Sequence, residues 1–265
     1  HGSVITNACV SGRCSHRNPN MAQIPRVGQP YGAECRGLFY APHGWRQVGC
    51  DASGLELRGL GAQLAYFDGG EYAKLVSTDG FDIHTHNAKL FGIYDGQATI
   101  EKRIREQAKT LIYAVLYGAG AQKLGTILDP SLGQYDQQDL GRETIETFYK
   151  NLPAIKKLKD KVDERVLDRG DLIGIDGRHL QIRSRHSALN QLLQSTGSLC
   201  VKKATCILYE DLKENKLRWG IHYAFVAHIH DEIQALVKPQ HVSLYKKLAV
   251  DCFRTVSYTH LTLPT

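Results

Sequence analysis

The sequence lacks the cysteine pattern of a zinc-binding or disulfide-stapled protein. No two of its seven cysteines form a CxxC pair, so we expect no structural zinc site. An odd number of cysteines without a secretory signal indicates reduced thiols in a cytoplasm, buried or incidental to function. The positions are Cys9, Cys14, Cys35, Cys50, Cys200, Cys206 and Cys252.

Long hydrophobic runs, internal repeats and low-complexity linkers are also missing. No apolar stretch approaches the ~18–20 residues of a membrane span, and the polar start contains no secretory signal. With 265 residues, the chain can bury a sizeable core as one large domain or two subdomains. A net charge of +6 and a pI near 8.9 favour a polyanionic partner, but only mildly.

Two aspartates follow apolar, strand-like runs in distant parts of the chain. Asp51 ends a predicted strand over 46–51, and Asp231 lies between strands predicted over 225–229 and 233–237. A single aspartate in such a place is more often a turn residue, but a pair suits two-metal phosphoryl transfer. Mg²⁺ takes one or two carboxylates plus substrate phosphates, so Asp51, Asp231 and the carbonyl of Ala52 suffice as ligands. Glu232 is a further candidate, although in an extended segment its side chain points away from that of Asp231.

A helix predicted over 101–117 carries a basic and aromatic stripe. Arg105, Lys109, Tyr113 and Tyr117 recur every four residues and therefore share one face. Arginine binds phosphate with a planar fork and lysine with a point charge, while a tyrosine ring can pack on a base or sugar. The alternative is a solvated basic face, which the neighbouring charges at 102 and 103 support.

Two other segments carry polar residues that can contact nucleic acid. Arg13 and the pair His16-Arg17 lie in a polar loop that cannot support a core, so they can reach a DNA backbone or minor groove. Gln194 lies among apolar residues of a long helix predicted over 187–213, where its amide needs a partner from the protein or a base edge. Solvated charges and an ordinary, partly exposed glutamine are the alternatives.

Glycine and proline signals outline the remaining elements. They predict a loop-rich start over 1–35, a loop over 126–138 and a β-hairpin within 170–185. Helices are expected over 55–67, from Asp82 onward, over 139–168 with a break or restart at Pro153, and over 239–255. This order favours an α+β or mixed α/β fold.

Together these segments resemble family A DNA polymerases, most closely the replicative polymerases of short-tailed coliphage-like viruses. The resemblance runs from His1 to about Val237. The corresponding segments, in the same order along the chain, are Ser11–Arg13, Asn18–Pro25, Asp51–Arg58 as the first palm motif, Asp82–Thr85, Arg105–Gly118 as the fingers-helix motif, Ala188–Gln194, and His230–Glu232 as the third motif.

The resemblance implies an α+β fold, a right-hand palm with an antiparallel sheet and an inserted helical fingers subdomain. The palm would comprise residues 1–80 and 181–256, and the fingers residues 81–180. The 3′–5′ exonuclease domain, most of the thumb and any segment that docks a processivity factor would lie outside this chain. Residues 257–265 resemble translated sequencing adapter, and we expect them to be non-native.

The resemblance also implies a DNA-directed DNA polymerase that transfers nucleotides from dNTP to a primer 3′-hydroxyl on a DNA template. Asp51, Ala52 and Asp231 would hold two Mg²⁺ ions, and Lys109 would act as the acid for the pyrophosphate leaving group. The residues implied in dNTP binding are Arg105, Lys109, Tyr113, His84, Glu56 and Tyr117. Those implied in DNA binding are Arg13, Asn190, Gln194 and His230.

Other functions stay open at this point. A two-metal nuclease shares the paired carboxylates, and a non-catalytic DNA-binding remnant needs neither of them. A single-subunit RNA polymerase fits less well, because Glu56, expected beneath the nucleotide sugar, would help to exclude ribose. The expected partners are DNA primer-template and dNTP, without a membrane, in the cytoplasm of an infected bacterial host.

Overall fold

The computed structural model describes residues 2–260, with side chains described up to Val256. Residues 261–265 of the predicted non-native tail lie outside the described residues, as do the side chains of 257–260. The chain divides into two compact units. The first unit combines the chain up to Glu56 with the chain from Gln194 onward, and the second spans Leu57–Leu193.

Short strands and α-helices make up the regular structure of the described chain, with seven consecutive helices between β3 and β4. The strands are β1 Ser3–Ile5, β2 Ser15–Arg17, β3 Arg46–Asp51, β4 Asp171–Ile173, β5 His179–Gln181, β6 Tyr223–Ile229 and β7 Glu232–Val237. The helices are α1 Gly32–Gly37, α2 Leu55–Asp68, α3 Glu71–Ser77, α4 Ile83–Leu90, α5 Lys102–Leu116, α6 Ala121–Leu128, α7 Gln134–Asn151, α8 Pro153–Arg169, α9 Ala188–Glu214 and α10 Val242–His260. None of the helices within residues 2–260 is long and apolar enough to cross a membrane.

An antiparallel sheet in the order β3-β7-β6 forms the centre of the first unit. Ile233, Ala235 and Val237 alternate along β7 and are buried, as expected of a strand with one face on the core. Helix α9 adds buried residues at helical spacing to the same core, among them Ala204 and Leu208. Truncating Leu208 to alanine there would cost about 2–5 kcal/mol. This core holds the strand ends that carry the predicted aspartates.

The second unit is helical apart from the hairpin of β4 and β5. Phe91 stacks on Phe148 with ring centroids 4.2 Å apart, and both rings are buried. Helices α6 and α7 approach closely at Gly125, where an added Cβ would lie 1.8 Å from the carbonyl oxygen of Gln137. The two helices can approach this closely because glycine has no Cβ at this position.

Most predicted elements are confirmed, and the errors concern the bounds of one loop and a short hairpin. The strand over 46–51, the hairpin within 170–185 and the long helix from about 187 are observed, and Pro153 starts a second helix. The loop predicted over 126–138 is confirmed only over 129–133, because α6 reaches Leu128 and α7 already starts at Gln134. The loop-rich start also contains the β1–β2 hairpin, whose pairing over three residues leaves little periodicity to detect. The antiparallel central sheet and the helical insertion confirm the α+β class.

Candidate active site

Asp51 and Asp231 lie at the same end of the central sheet. Asp51 is the last residue of β3, and Asp231 lies in the short connection between β6 and β7. Strand β3 pairs with β7 in a register that sets Asp51 opposite Glu232. The backbone N–H of Ala52 donates to the carbonyl oxygen of Asp231 at 3.1 Å, which extends the pairing by one residue. The sheet thus brings together two carboxylates that the sequence places in separate turns.

The carboxylates at this sheet end repel one another. Burial raises the pKa of Asp51, and the negative charges of Asp231 and Glu232 raise it further. Among the side chains described, up to Val256, no group of three or more His, Cys, Asp or Glu residues is arranged to hold a metal ion. The predicted set is smaller, two aspartates and the carbonyl of Ala52. Oxygen donors in a negative field suit a divalent cation such as Mg²⁺, so the residues present fit the implied metal.

Glu232 lies beside these aspartates, but a hydrogen bond to a neighbour on its own strand holds its carboxylate. As the cross-strand neighbour of Asp51, it projects on the same face of the sheet. Its carboxylate accepts a hydrogen bond from the side-chain amide of Gln234, two residues along the same strand. Glu232 therefore adds charge near Asp51 while its own side chain is tied to β7.

His230 occupies a strained backbone conformation in the turn before Asp231. Its φ of 55° lies in the left-handed region, which costs a residue with a side chain about 1–2 kcal/mol relative to glycine. Burial lowers the pKa of His230, and the positive charge of Arg13 lowers it further. Strain that persists at the tip of a hairpin suggests that the imidazole itself is needed there.

Arg13 and Glu56 form an ion pair in the first unit. The guanidinium NH2 donates to Oε1 of Glu56 at 3.2 Å, and the two side chains are only 19% and 13% exposed. The resemblance assigns Arg13 to the DNA and Glu56 to the nucleotide sugar. The ion pair links these two predicted contacts, so a change at either side chain is expected to alter the position of the other.

His16 does not lie in a polar loop without a core, as the sequence predicts. It lies on β2 with only 6% of its surface exposed. Its Nε2 donates to the carbonyl oxygen of His228 at 2.9 Å and so attaches the N-terminal hairpin to β6. The prediction failed because a three-residue strand in a polar segment gives no hydrophobic pattern. His16 is a structural contact.

Helix α5 presents the predicted basic and aromatic stripe on the second unit. Ala108, Leu111 and Ile112 are fully buried, while Lys109 is exposed. The rings of Tyr113 and Tyr117 lie near each other, with centroids 6.2 Å apart. The helix ends at Leu116, as predicted from the glycine stop signal, with Gly118 at a φ of +76°.

Three cationic or titratable side chains of the second unit lie close together on α4 and α5. Burial lowers the pKa of His84, and the positive charges of Arg105 and Lys109 lower it further. Arg105 does not project freely, because its fork closes on Asp82, with Nε 2.7 Å from Oδ2 and NH2 3.0 Å from Oδ1. The sequence pointed to Asp82 as the start of a helix but not to this partner.

Asn190 and Gln194 lie four residues apart on α9, so they share one helix face. Both are partly buried. The Oδ1 atom of Asn190 is buried and has no hydrogen-bond partner in the described part of the chain. A buried amide oxygen of this kind needs a donor, which suits the predicted contact to a ligand.

Comparison with known proteins identifies a family. The model of "DNA polymerase family A" matches residues 1–265. The DNA-directed DNA polymerases of Enterobacteria phage T3 and Escherichia phage T7 are each 38% identical to this chain over 92% of its length. The chain spans 36% of the length of each of these relatives.

A solved structure shows the same fold at lower sequence identity. The POL domain of Pol1 from M. smegmatis, determined in complex with DNA primer-template and dNTP, matches with a TM-score of 0.80. The match covers 97% of this chain and 45% of that chain, at 19% identity. The polymerase-type α+β fold predicted from the sequence is thereby confirmed.

Proposed function

This chain belongs to DNA polymerase family A, and we propose that it contains the nucleotidyl-transfer site of a DNA-directed DNA polymerase. The observation that carries the proposal is the meeting of Asp51 and Asp231 at one end of the central sheet. Because the chain spans 36% of its phage relatives, the activity is proposed for this portion and not taken over from the whole proteins.

In the proposed reaction, a primer 3′-hydroxyl attacks the α-phosphate of a dNTP in line. A new P–O bond forms, the bond between the α-phosphorus and the bridging oxygen breaks, and pyrophosphate leaves. Family A polymerases are generally metal-dependent. We assign two Mg²⁺ ions to Asp51, Asp231 and the Ala52 carbonyl; when bound, they would activate the hydroxyl and neutralise phosphate charge.

Binding of the triphosphate is proposed for the cationic side chains of the second unit. Arg105 would bind phosphate oxygens with the NH1 end of its guanidinium, and Lys109 with a point charge. Lys109 is exposed and its ammonium can donate a proton to the departing pyrophosphate. His84 would contact a phosphate as well, since it lies close enough to Arg105 and Lys109 for their charges to lower its pKa.

The sugar and the base are proposed to meet aromatic and acidic side chains. Tyr113 would pack on the nucleotide sugar and base, and a tyrosine at this position implies tolerance of dideoxynucleotides. Glu56 would lie beneath the sugar and help to exclude ribose, held there by its ion pair with Arg13. Tyr117, whose side chain is exposed, would stand near the template base.

The remaining predicted residues are assigned to DNA. Arg13 and Gln194 would probe the minor groove of the nascent pair, where correct pairs present similar acceptors. Asn190 would support this contact with its unpartnered oxygen, and His230 would touch the primer end. DNA primer-template and dNTP are the proposed partners, in the cytoplasm of an infected bacterial host, and a processivity factor of the full-length protein stays a prediction.

Single-nucleotide addition tests this function. The 265-residue chain would receive Mg²⁺, a primer-template with one defined next base, and each of the four dNTPs separately. We expect a product one nucleotide longer with the complementary dNTP alone. A shortened primer would indicate a nuclease, and a bound primer of unchanged length, with steep salt dependence, a DNA-binding remnant.

A further inference from the structure

The carboxylate of Asp82 accepts four hydrogen bonds. Its Oδ1 accepts from the backbone N–H of His84 at 3.1 Å and from NH2 of Arg105 at 3.0 Å. Its Oδ2 accepts from Nε of Arg105 at 2.7 Å and from the hydroxyl of Thr85 at 2.6 Å. These four donors use the acceptor sites that one ionised carboxylate offers.

Helix capping explains only part of this arrangement. Asp82 is the N-cap of α4, and the bond from His84 N–H is the one that a cap makes. The fork with Arg105 comes from another helix, 23 residues further along the chain. A cap alone does not need a bidentate arginine, so Asp82 has a second role.

The fork determines which edge of Arg105 is available. Asp82 takes the side of the guanidinium formed by Nε and NH2, which leaves the NH1 end directed away from the carboxylate. Glu106 makes only a longer contact with NH1, at 3.3 Å, and its side chain is 52% exposed. A phosphate can therefore bind at the NH1 end while Asp82 still holds the other side.

We propose that Asp82 is a positioning residue that fixes Arg105, together with the first turn of α4, for the polyphosphate of an incoming nucleotide. This inference rests on the proposed function. Burial would raise the pKa of Asp82, but the hydrogen bonds from Arg105 and Thr85 outweigh it and hold the pKa at about 2. The carboxylate is therefore ionised at neutral pH, as the ion pair with Arg105 requires.

Replacing Asp82 with asparagine separates positioning from capping. Asparagine is as good an N-cap as aspartate, so Asp82→Asn keeps the helix start and removes the charge that holds the fork. We expect the Kd of the chain for a complementary dNTP, in the presence of Mg²⁺ and primer-template, to rise roughly tenfold, within the usual range for coupled neighbours. KM should rise in parallel, while kcat changes by less than about twofold, because Asp82 acts on binding.

Two further variants keep the test specific. Asp79→Asn removes the same charge from an exposed position three residues upstream and is expected to leave Kd unchanged. Thr85→Val removes one hydrogen bond to the same carboxylate and keeps its charge, so a loss of roughly threefold is expected. In an Arg105→Lys background, Asp82→Asn should add little, because the fork is already lost.

The outcomes distinguish this inference from the function on which it rests. A wild-type chain that binds no dNTP would overturn both. Wild-type binding with an unchanged Kd in Asp82→Asn would overturn the positioning role alone. Tighter binding in Asp82→Asn would also overturn it, since Asp82 would then be competing with phosphate for Arg105. Full additivity with Arg105→Lys would show that Asp82 acts through another residue.

Discussion

Replacing His230 with glycine and, separately, with alanine tests whether backbone strain beside Asp231 is retained for function. The φ of 55° at His230 penalises alanine but not glycine. The left-handed conformation costs a side-chain-bearing residue about 1–2 kcal/mol, and the greater freedom of glycine in the unfolded chain offsets roughly 0.5–1 kcal/mol of this. At the middle of both ranges, His230→Gly is therefore expected to be more stable than His230→Ala by about 0.75 kcal/mol.

The two variants lack the same imidazole, so their activities should fall together. Urea unfolding at neutral pH gives the difference in stability from the transition midpoints, provided that the slopes agree. Primer extension on the same preparations gives the functional loss. Equal stability, or a more stable alanine variant, would refute strain at this position. Full extension by either variant would refute a role for the imidazole at the primer end.

Three further predictions concern the second unit. Gly118→Ala is expected to destabilise the chain by about 2–4 kcal/mol in urea unfolding, because φ is +76° and the new Cβ would lie 2.0 Å from the carbonyl oxygen of His186. Gly120→Ala, which has open space around the new Cβ, should have little effect. Equal losses of stability in the two variants would contradict the predicted clash. Lys109→Ala should raise KM for dNTP roughly tenfold in steady-state kinetics without changing the fold. Lys102→Ala, on the same helix, should leave KM unchanged. Equal increases in KM would indicate that the basic face of the helix has no specific phosphate-binding residue. Asp82 has a folded-state pKa of about 2, below the ~3.9 expected when unfolded, so its stabilisation is present above pH ~4 and is lost as pH falls toward 2. After solvent screening, this contribution to the free energy of unfolding is about 1 kcal/mol or less. The urea midpoint of the wild type should therefore fall more between pH 6 and pH 3 than the midpoint of Asp82→Asn. Equal decreases in the two proteins would contradict the prediction.

The sequence indicated residues that lie at the ends of regular elements. Asp51 and Asp231 each follow an apolar run, and a carboxylate at a strand end is recognisable from that local pattern alone. Their meeting depends on the β3–β7 register, which no local pattern contains. The matching contexts of the two aspartates predicted a metal-binding pair, and the family resemblance implied the same pair. Similarly, the spacing of four residues between Arg105 and Lys109 predicted that they share one face of α5.

The remaining features depend on contacts between distant segments. The fork of Arg105 with Asp82 joins two helices through side chains, and neither residue type signals its partner. The prediction for His16 failed for a related reason, since its buried imidazole contacts the backbone of His228 on another strand. The positive φ at His230 was also invisible, because even histidine, which is enriched among residues with positive φ, adopts it in only a small fraction of cases.

Mg²⁺-dependent primer extension by the 265-residue chain, compared with Asp51→Asn and Asp231→Asn, tests the central claim most directly. Both substitutions keep the size of the side chain and remove a charge that is proposed to bind metal. Glu34→Gln removes a charge from an exposed position of the first unit and serves as a control. We predict extension by the wild type and by Glu34→Gln, its loss on chelation of Mg²⁺, and its loss in both aspartate variants. Extension that persists in either aspartate variant, or a folded wild type that binds primer-template and adds no nucleotide, would contradict the account.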